Sequence, residues 1–438
     1  MVGTLALLMR IAVIGAYGLV GSYVSARLVA DGHRVVGVGR DIDAACRRFP
    51  ALAWKRADMA HASVAEWTAV LADTEAVINC AGALQDSPRD DLKAVHVEGV
   101  RRLAEACEAI GVRRLVHISA AGVEPGRGTA FNTTKLEAET LLAQSALEWI
   151  ILRPGLVFAP AAYGGTALLR GLAGFPGAIP VVFGESLVQI IGAEDLAAAI
   201  ARCLTPDAPT RVRLDMVHGE TLTLTDLVGR LRGWLGLRPV RTIRLPLGLA
   251  RATAAASDAL AWLGWRSPMR TAALEQLRMG VRGRAEDAAR LGTAPRSFNA
   301  LLAAAPSGIQ ERWFARAYFA KPAILVCLVA FWLLSGLIGL TVGLKDAIAI
   351  LTASGMDAVL ARGAVIGGSL IDIALALLLI WRPTAARALQ GMLLVTMGYL
   401  LAGTLVRPDL WLDPMGPLLK SIPAAFLAVA ALATLDER

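Results

Sequence analysis

Three glycines set three apart, Gly15, Gly18 and Gly21, follow directly on the apolar run Ile11 to Ile14 and precede an amphipathic segment from Ser22 to Ala30. That order predicts a strand, a tight turn and the start of a helix, the opening unit of a parallel sheet wrapped by helices. Such a turn points backbone N–H groups and the positive end of a helix at a pyrophosphate. Gly15 permits the turn, Gly18 lets the phosphates approach, and Gly21 lets the helix sit close to the strand. Tyr17, Leu19 and Val20 fall between them and complete the candidate cradle. The alternative is an incidental glycine-rich turn.

The residues that follow keep to the same plan. Val35 to Gly39 alternate as a second strand that ends in Arg40. An acid at that position would receive the adenosine ribose hydroxyls of NAD, whereas a guanidinium accepts the 2′-phosphate of NADP. Arg40 therefore favours NADP(H), and the nearby Asp41 and Asp43 keep NAD(H), or a merely solvated strand end, as alternatives. Asp58, with Met59 beside it, follows a short third strand and is placed to accept from the adenine amino group. Ala76 to Asn79 is a buried strand that runs into the small residues Cys80, Ala81 and Gly82, where a cofactor must pass close to backbone. A helix from Leu92 to Gly111 and a fifth strand from Val112 to Ser119 continue the alternation. Ligands of such sheets sit at the carboxyl ends of the strands, where all these candidates fall.

Gly15-x-x-Gly18-x-x-Gly21, Asn79-Cys-Ala-Gly82, Ser119 and a helix bearing Lys135 together resemble the extended, atypical branch of the short-chain dehydrogenase/reductase superfamily. The resemblance implies a Rossmann-type doubly wound sheet with a small substrate lobe. It also implies that Lys135 holds the nicotinamide ribose and that Ser119 orients the reacting carbonyl or alcohol. In the family a tyrosine four residues before the lysine is the acid/base; here that position is Phe131. Phenylalanine moves no proton, and a placed general acid or base is worth about 10²–10⁴-fold. Thr133, Thr134 and Tyr163 are the nearby hydroxyls that remain. Two readings stay open: a nucleotide held for a structural or sensing purpose, or an enzyme that uses another group.

Arg153-Pro154-Gly155 ends the sixth strand, and Pro154 joins the candidate cofactor contacts. The glycine- and proline-rich stretch from Gly164 to Phe183 is expected to form a flexible wall of the substrate lobe, compatible with an apolar substrate. Leu263 to Met269 and Leu291 to Phe298 are similar to the C-terminal part of the dehydrogenase-like subunit of respiratory complex I, whose known members bind NADPH without demonstrated turnover. On this reading residues 9–160 form the nucleotide-binding core and 161–311 the remainder of that domain.

The last third of the chain differs in kind. Apolar residues make up 56% of the whole, charged residues 18%, and the mean hydropathy is +0.56, an excess that lies beyond Pro322. Pro322 to Leu344 holds more than twenty residues without a charge, enough at 1.5 Å each to cross a hydrocarbon core of roughly 30 Å. Further spans are expected at about 364–381, 389–406 and 418–435, the last interrupted by Pro423. Four transmembrane helices over 312–438 follow, with a buried helical core as the alternative. Lys and Arg counted on the two sides stand at five to four. With the Arg312, Arg316, Lys321 cluster beside the first span, this favours a bacterial inner-membrane protein with its nucleotide domain and both termini in the cytoplasm. Asp372 lies within the second span, where a carboxylate is either functional or satisfied by Ser369 or Thr396. Phe331-Trp-Leu-Leu-Ser-Gly-Leu-Ile-Gly339 resembles the DoxX-like family of small four-helix membrane domains, which occur with quinone-linked redox proteins.

The net charge of +8 suits an anionic lipid surface. Scattered arginines without a recognition motif argue against nucleic acid. The five cysteines and five histidines show neither disulfide nor metal-ligand spacing. Met1 to Met9 is apolar but has no cleavage site after it, so it is expected to be a short extension. The expected partners are therefore a nucleotide cofactor, the bilayer, an apolar or quinone-related substrate, and a membrane complex.

Overall fold

The computed structural model describes residues 8–87, 90–126 and 128–435. The chain divides into two units, one of residues 1–258 with 268–315 and one of 259–267 with 316–438.

In the first unit the strands are β1 (Arg10–Ile14), β2 (Arg34–Gly39), β3 (Ala53–Arg56), β4 (Ala76–Asn79), β5 (Arg114–Ile118) and β6 (Glu148–Pro154). They continue with β7 (Leu156–Phe158), β8 (Ile179–Val181), β9 (Leu187–Gly192), β10 (Val212–Met216), β11 (Thr221–Thr223) and β12 (Thr242–Arg244). Seven of them make one parallel sheet in the order β10-β6-β5-β4-β1-β2-β3. Strands buried on both faces read as near-continuous Val/Ile/Leu runs, and Ile11 to Ile14, Val77-Ile78 and Ile150 to Leu152 are such runs. One core cluster gathers Ile11, Val13, Val116 and Ile150, and another gathers Ala12, Ile14, Val77 and Ile151, as the period-2 alternation requires. The direction of strand order reverses between β1 and β4, the point at whose carboxyl ends sheets of this kind bind their ligands.

β7, β9 and β11 form a small sheet and β8 pairs with β12, in the segment where a small lobe is expected from the sequence. The stretch expected to be a flexible wall is regular. It contains the helix Gly164–Gly174 and β8. Gly174 serves close packing, since a Cβ there would lie 2.6 Å from the Ala315 carbonyl carbon, whereas Gly164 and Gly165 face open space. Within this helix Arg170 is buried, donates to the carbonyls of Ala159 and Pro160, and lies over the Phe158 and Trp234 rings.

The second unit is helical. Ala320–Leu340, Ala358–Ile380 and Arg382–Val406 are long and apolar enough to cross a membrane. Pro417–Ala433, expected as a fourth span, is apolar but has 17 residues, shorter than the other three. It packs against the first and third, closing a four-helix bundle. The loop expected after the first span instead holds the helix Leu344–Ala353. Asp372 is buried, and its Oδ1 accepts from the Tyr399 hydroxyl at 3.1 Å, with Ser335 as a second partner. Thr396, one of the partners expected for it, donates instead to the Met392 carbonyl of its own helix.

Candidate functional site

The three glycines meet three different demands. Gly15 has φ +73°, the left-handed region, and its N–H donates to the Val38 carbonyl at 2.8 Å. A Cβ on Gly15 would come within 3.1 Å of the Ala81 nitrogen, so this glycine lets the ends of β1 and β4 approach. Gly18 precedes the helix Leu19–Ala30 in extended conformation, and among the described residues no side chain caps that helix. Its first N–H groups are therefore left to a ligand, the arrangement that suits an anion. At Gly21 a Cβ would fall 2.2 Å from the Gly15 carbonyl oxygen, so the helix lies directly on the turn. Leu19 and Val20 form the first helical turn, and Val20 packs on the core.

At the ends of β2 and β3, Tyr17 lies over Gly39, and its ring centroid is 6.2 Å from that of Trp54. The Arg40 guanidinium pairs with Asp90 Oδ1 at 2.9 Å. Burial works against its charge, and Asp90 with Asp58 more than offsets this. Asp58 accepts from the Ala60 N–H and His61 and is half-buried; Met59 is buried in the core. Thus Arg40 and Asp58 share one end of the sheet, while Cys80, Ala81, Gly82, Ser119, Lys135 and Pro154 cluster around the ends of β4, β5 and β6. Burial raises the Cys80 thiol to about 12, which keeps it protonated and inert. The Pro154 carbonyl accepts from the Ala121 N–H at 2.8 Å, tying the loop after Ser119 to β6.

Thr129 caps the helix Ala130–Gln144, and Phe131, Lys135 and Glu139 repeat every four residues along one face of it. Lys135 is buried; its Nζ donates to the Ile118 carbonyl at 2.9 Å and lies against Gly82. Ser119 Oγ donates to Glu139 Oε1 at 2.6 Å. Glu139 is completely buried and also accepts from Arg153, with Arg213 Nε 3.2 Å away. A serine whose proton is given to a carboxylate offers a ligand only lone pairs.

Burial brings the Lys135 pKa from 10.5 down to about 8, against the opposing pull of Glu139. Between those two values the unfolded chain binds a proton that the folded chain has released, so stability rises with pH across the window and is lowest below it. Replacing Lys135 with methionine is expected to remove this contribution to the melting temperature, read between about pH 8 and 9, before the buried thiols of Cys80, Cys107 and Cys203 begin to act in the opposite sense. Thermal unfolding at several pH values checks this, and a rise that persists in the variant refutes it.

His96 and Glu139 lie outside the motifs read from the sequence. The predicted helix over 92–111 begins instead with the π-turn Ala94–Glu98, which turns His96 inward. His96 Nε2 accepts from the Ala83 N–H at 3.1 Å, so Nδ1 carries the proton and donates to Thr134 Oγ1 at 2.9 Å. Burial and Lys135 hold this imidazole neutral, its pKa pushed down to about 2. Its ring meets Phe131 edge-on, centroids 5.7 Å apart. Thr134 Oγ1 donates to the Ala130 carbonyl and Thr133 Oγ1 to that of Thr129, so two of the three hydroxyls expected as stand-ins for tyrosine are committed to backbone. The period of four running through Phe131, Lys135 and Glu139 is the signal that exposes Glu139. Asn79 orders the neighbouring turn through the Ala81 N–H and bonds to His117.

Residues 15–205 match the family described as NAD(P)H-binding, and residues 329–429 match the DoxX-like family. The chain joins an NAD(P)H-binding domain to a DoxX-like membrane domain. An uncharacterised protein of Mycobacterium bovis is 28% identical over 199 residues, 45% of this chain and 20% of that protein. Ceramide reductase of Caulobacter vibrioides is 30% identical over 173 residues, 39% of this chain and 53% of that enzyme. The chain thus spans about a fifth to about a half of the length of these curated relatives. The crystal structure of the Bordetella bronchiseptica enzyme WbmG in complex with NAD aligns with a TM-score of 0.53 at 16% identity, covering 72% of this chain and 96% of WbmG. That likeness establishes that the NAD(P)H-binding domain shares the fold of WbmG.

Proposed function

We propose that this chain is a membrane-anchored, oxidoreductase-like protein that retains its nucleotide for a holding or redox-sensing role, without tyrosine-centred proton transfer. One observation carries the reading: Phe131 stands where the acid/base belongs, while Ser119 is turned into the Glu139 carboxylate. Bound NAD(P) would supply hydride exchange. Gly15, Gly18 and Gly21 would take its pyrophosphate, Asp58 its adenine and Lys135 its nicotinamide ribose, with the backbone at Cys80 to Gly82 and Pro154 lining the path. The DoxX-like domain would place the site at the cytoplasmic face of a bacterial inner membrane, as part of a membrane complex.

The detergent-extracted full chain is expected to carry nucleotide detectable by mass spectrometry and to oxidise no NAD(P)H with quinones, long-chain ketones or nucleotide-sugars. Turnover by the wild type would overturn the holding role. It would favour a second reading, a reductase acting on an apolar substrate, which draws support from the 30% identity to ceramide reductase. Phe131→Tyr is expected to raise any such turnover about 10²-fold or more; no gain would mean that the remaining site is not competent.

For the cofactor we infer a preference for NADP(H), with the 2′-phosphate displacing Asp90 from Arg40. Arg40→Ala is expected to weaken NADPH binding about 10-fold or more, the worth of a charged hydrogen bond, while NADH binding changes little. Equal losses for both nucleotides in a calorimetric titration would refute the preference.

A further inference from the structure

Leu227 to Ser257 contains no acidic residue, and it includes Arg238, Arg241, Arg244 and Arg251. These four side chains are exposed and form no ion pair among the described residues. Beside them Ile243, Leu247 and Leu249 are 51%, 38% and 52% exposed. The helix Leu247–Trp262 is unusual for a surface helix. Its inward side is carried by Ala250, Ala254 and Ala261, while most of its remaining circumference is exposed leucine, alanine and glycine. A helix facing water carries charges outward; this one has only Arg251 and Asp258, and Asp258 is taken up by Gln85, Arg270 and Thr271. Exposed apolar groups bordered by unpaired arginines are the composition of a segment lying in a membrane interface.

We propose that residues 238–256 form a second membrane contact, docking the NAD(P)H-binding domain on the anionic surface of a bilayer. Charge selects the occupant. Arginines without acidic neighbours complement phosphate headgroups, and the exposed leucines enter the acyl boundary. Chain continuity points the same way, because the last turn of this helix, from Ala259, belongs to the unit that carries the membrane helices. Trp262 in that turn is 73% exposed, a side chain suited to headgroup depth.

The test reconstitutes the full chain in nanodiscs of phosphatidylcholine with or without phosphatidylglycerol and reads deuterium uptake on peptides covering residues 241–256. Slower uptake in the anionic discs is expected. The combined variant Arg241→Glu, Arg244→Glu, Arg251→Glu is expected to erase the difference, since each arginine near an anionic surface is worth about fivefold and the three together roughly a hundredfold. Unchanged uptake on the β5 peptide confirms that this variant is folded. Leu247→Asn with Leu249→Asn removes the apolar part and is expected to reduce the protection in anionic discs. Wild-type uptake indifferent to lipid charge overturns the proposal. Protection that appears only in discs loaded with two chains also overturns it, assigning this face to a second copy.

Discussion

Replacing Glu139 with alanine is expected to destabilise the NAD(P)H-binding domain by about 3–5 kcal/mol, the usual cost of deleting one member of a buried ion pair. Three groups lose their partner at once: the Ser119 hydroxyl, the Arg153 guanidinium and the nearby Arg213. Arg153 suffers most, because its side chain is only 15% exposed and its charge would remain in a poorly solvated site. Glu139→Gln keeps the shape and one acceptor, so its loss should be smaller. Chemical denaturation of the detergent-solubilised chain, followed through the domain's own unfolding transition, measures both. Equal small losses for the two variants would mean that the carboxylate's charge contributes little. Freed from Glu139, Ser119 could donate to a bound ligand, so nucleotide binding should be measured alongside stability.

Gly21→Val should remove nucleotide binding altogether. The valine Cβ would begin 2.2 Å from the Gly15 carbonyl oxygen and 2.8 Å from the Ala16 Cα, both backbone atoms that no rotamer can move aside. The helix Leu19–Ala30 must then lift from the turn, which takes its N-terminal N–H groups away from the phosphates and costs about 1–3 kcal/mol in overpacking. A titration with NADPH and NADH is the measurement. Affinity retained within a few-fold would show that the nucleotide does not lie against this turn. Gly229, by contrast, has no atom within 4 Å of a would-be Cβ, so Gly229→Ala serves as the neutral control.

The sheet was legible in the sequence because its strands are short continuous apolar runs bounded by glycine or small residues, and each ends at a residue with chemistry to offer. Phe131 was legible for a simpler reason: a missing hydroxyl is visible without coordinates. Glu139 was not, because its partners Arg153 and Arg213 lie on β6 and β10, and strand order cannot be counted from spacing. His96 was hidden by the π-turn, which shifts the helical phase that a 3.6-residue period assumes. The helix Gly164–Gly174 reads as a flexible wall because its glycines suggest a loop, although Gly174 at its end is there to admit Ala315. In the bundle the cost of a carboxylate within a span marked Asp372 as needing a partner but could not identify Tyr399, which comes from a different helix.

The parallel sheet has a consequence for how the chain is made. Its last strand, β10, ends at Met216, about a hundred residues before the first membrane helix begins at Ala320. Arg213, the latest of the groups gathered around Glu139, is also synthesised well before that point. Domains fold as units, N-terminal first, while synthesis proceeds. The seven strands and the Ser119–Glu139–Arg153 cluster can therefore assemble before any apolar span leaves the ribosome. Only afterwards does the nascent chain present a segment that must be handed to the membrane, and what it delivers there is an already formed nucleotide fold.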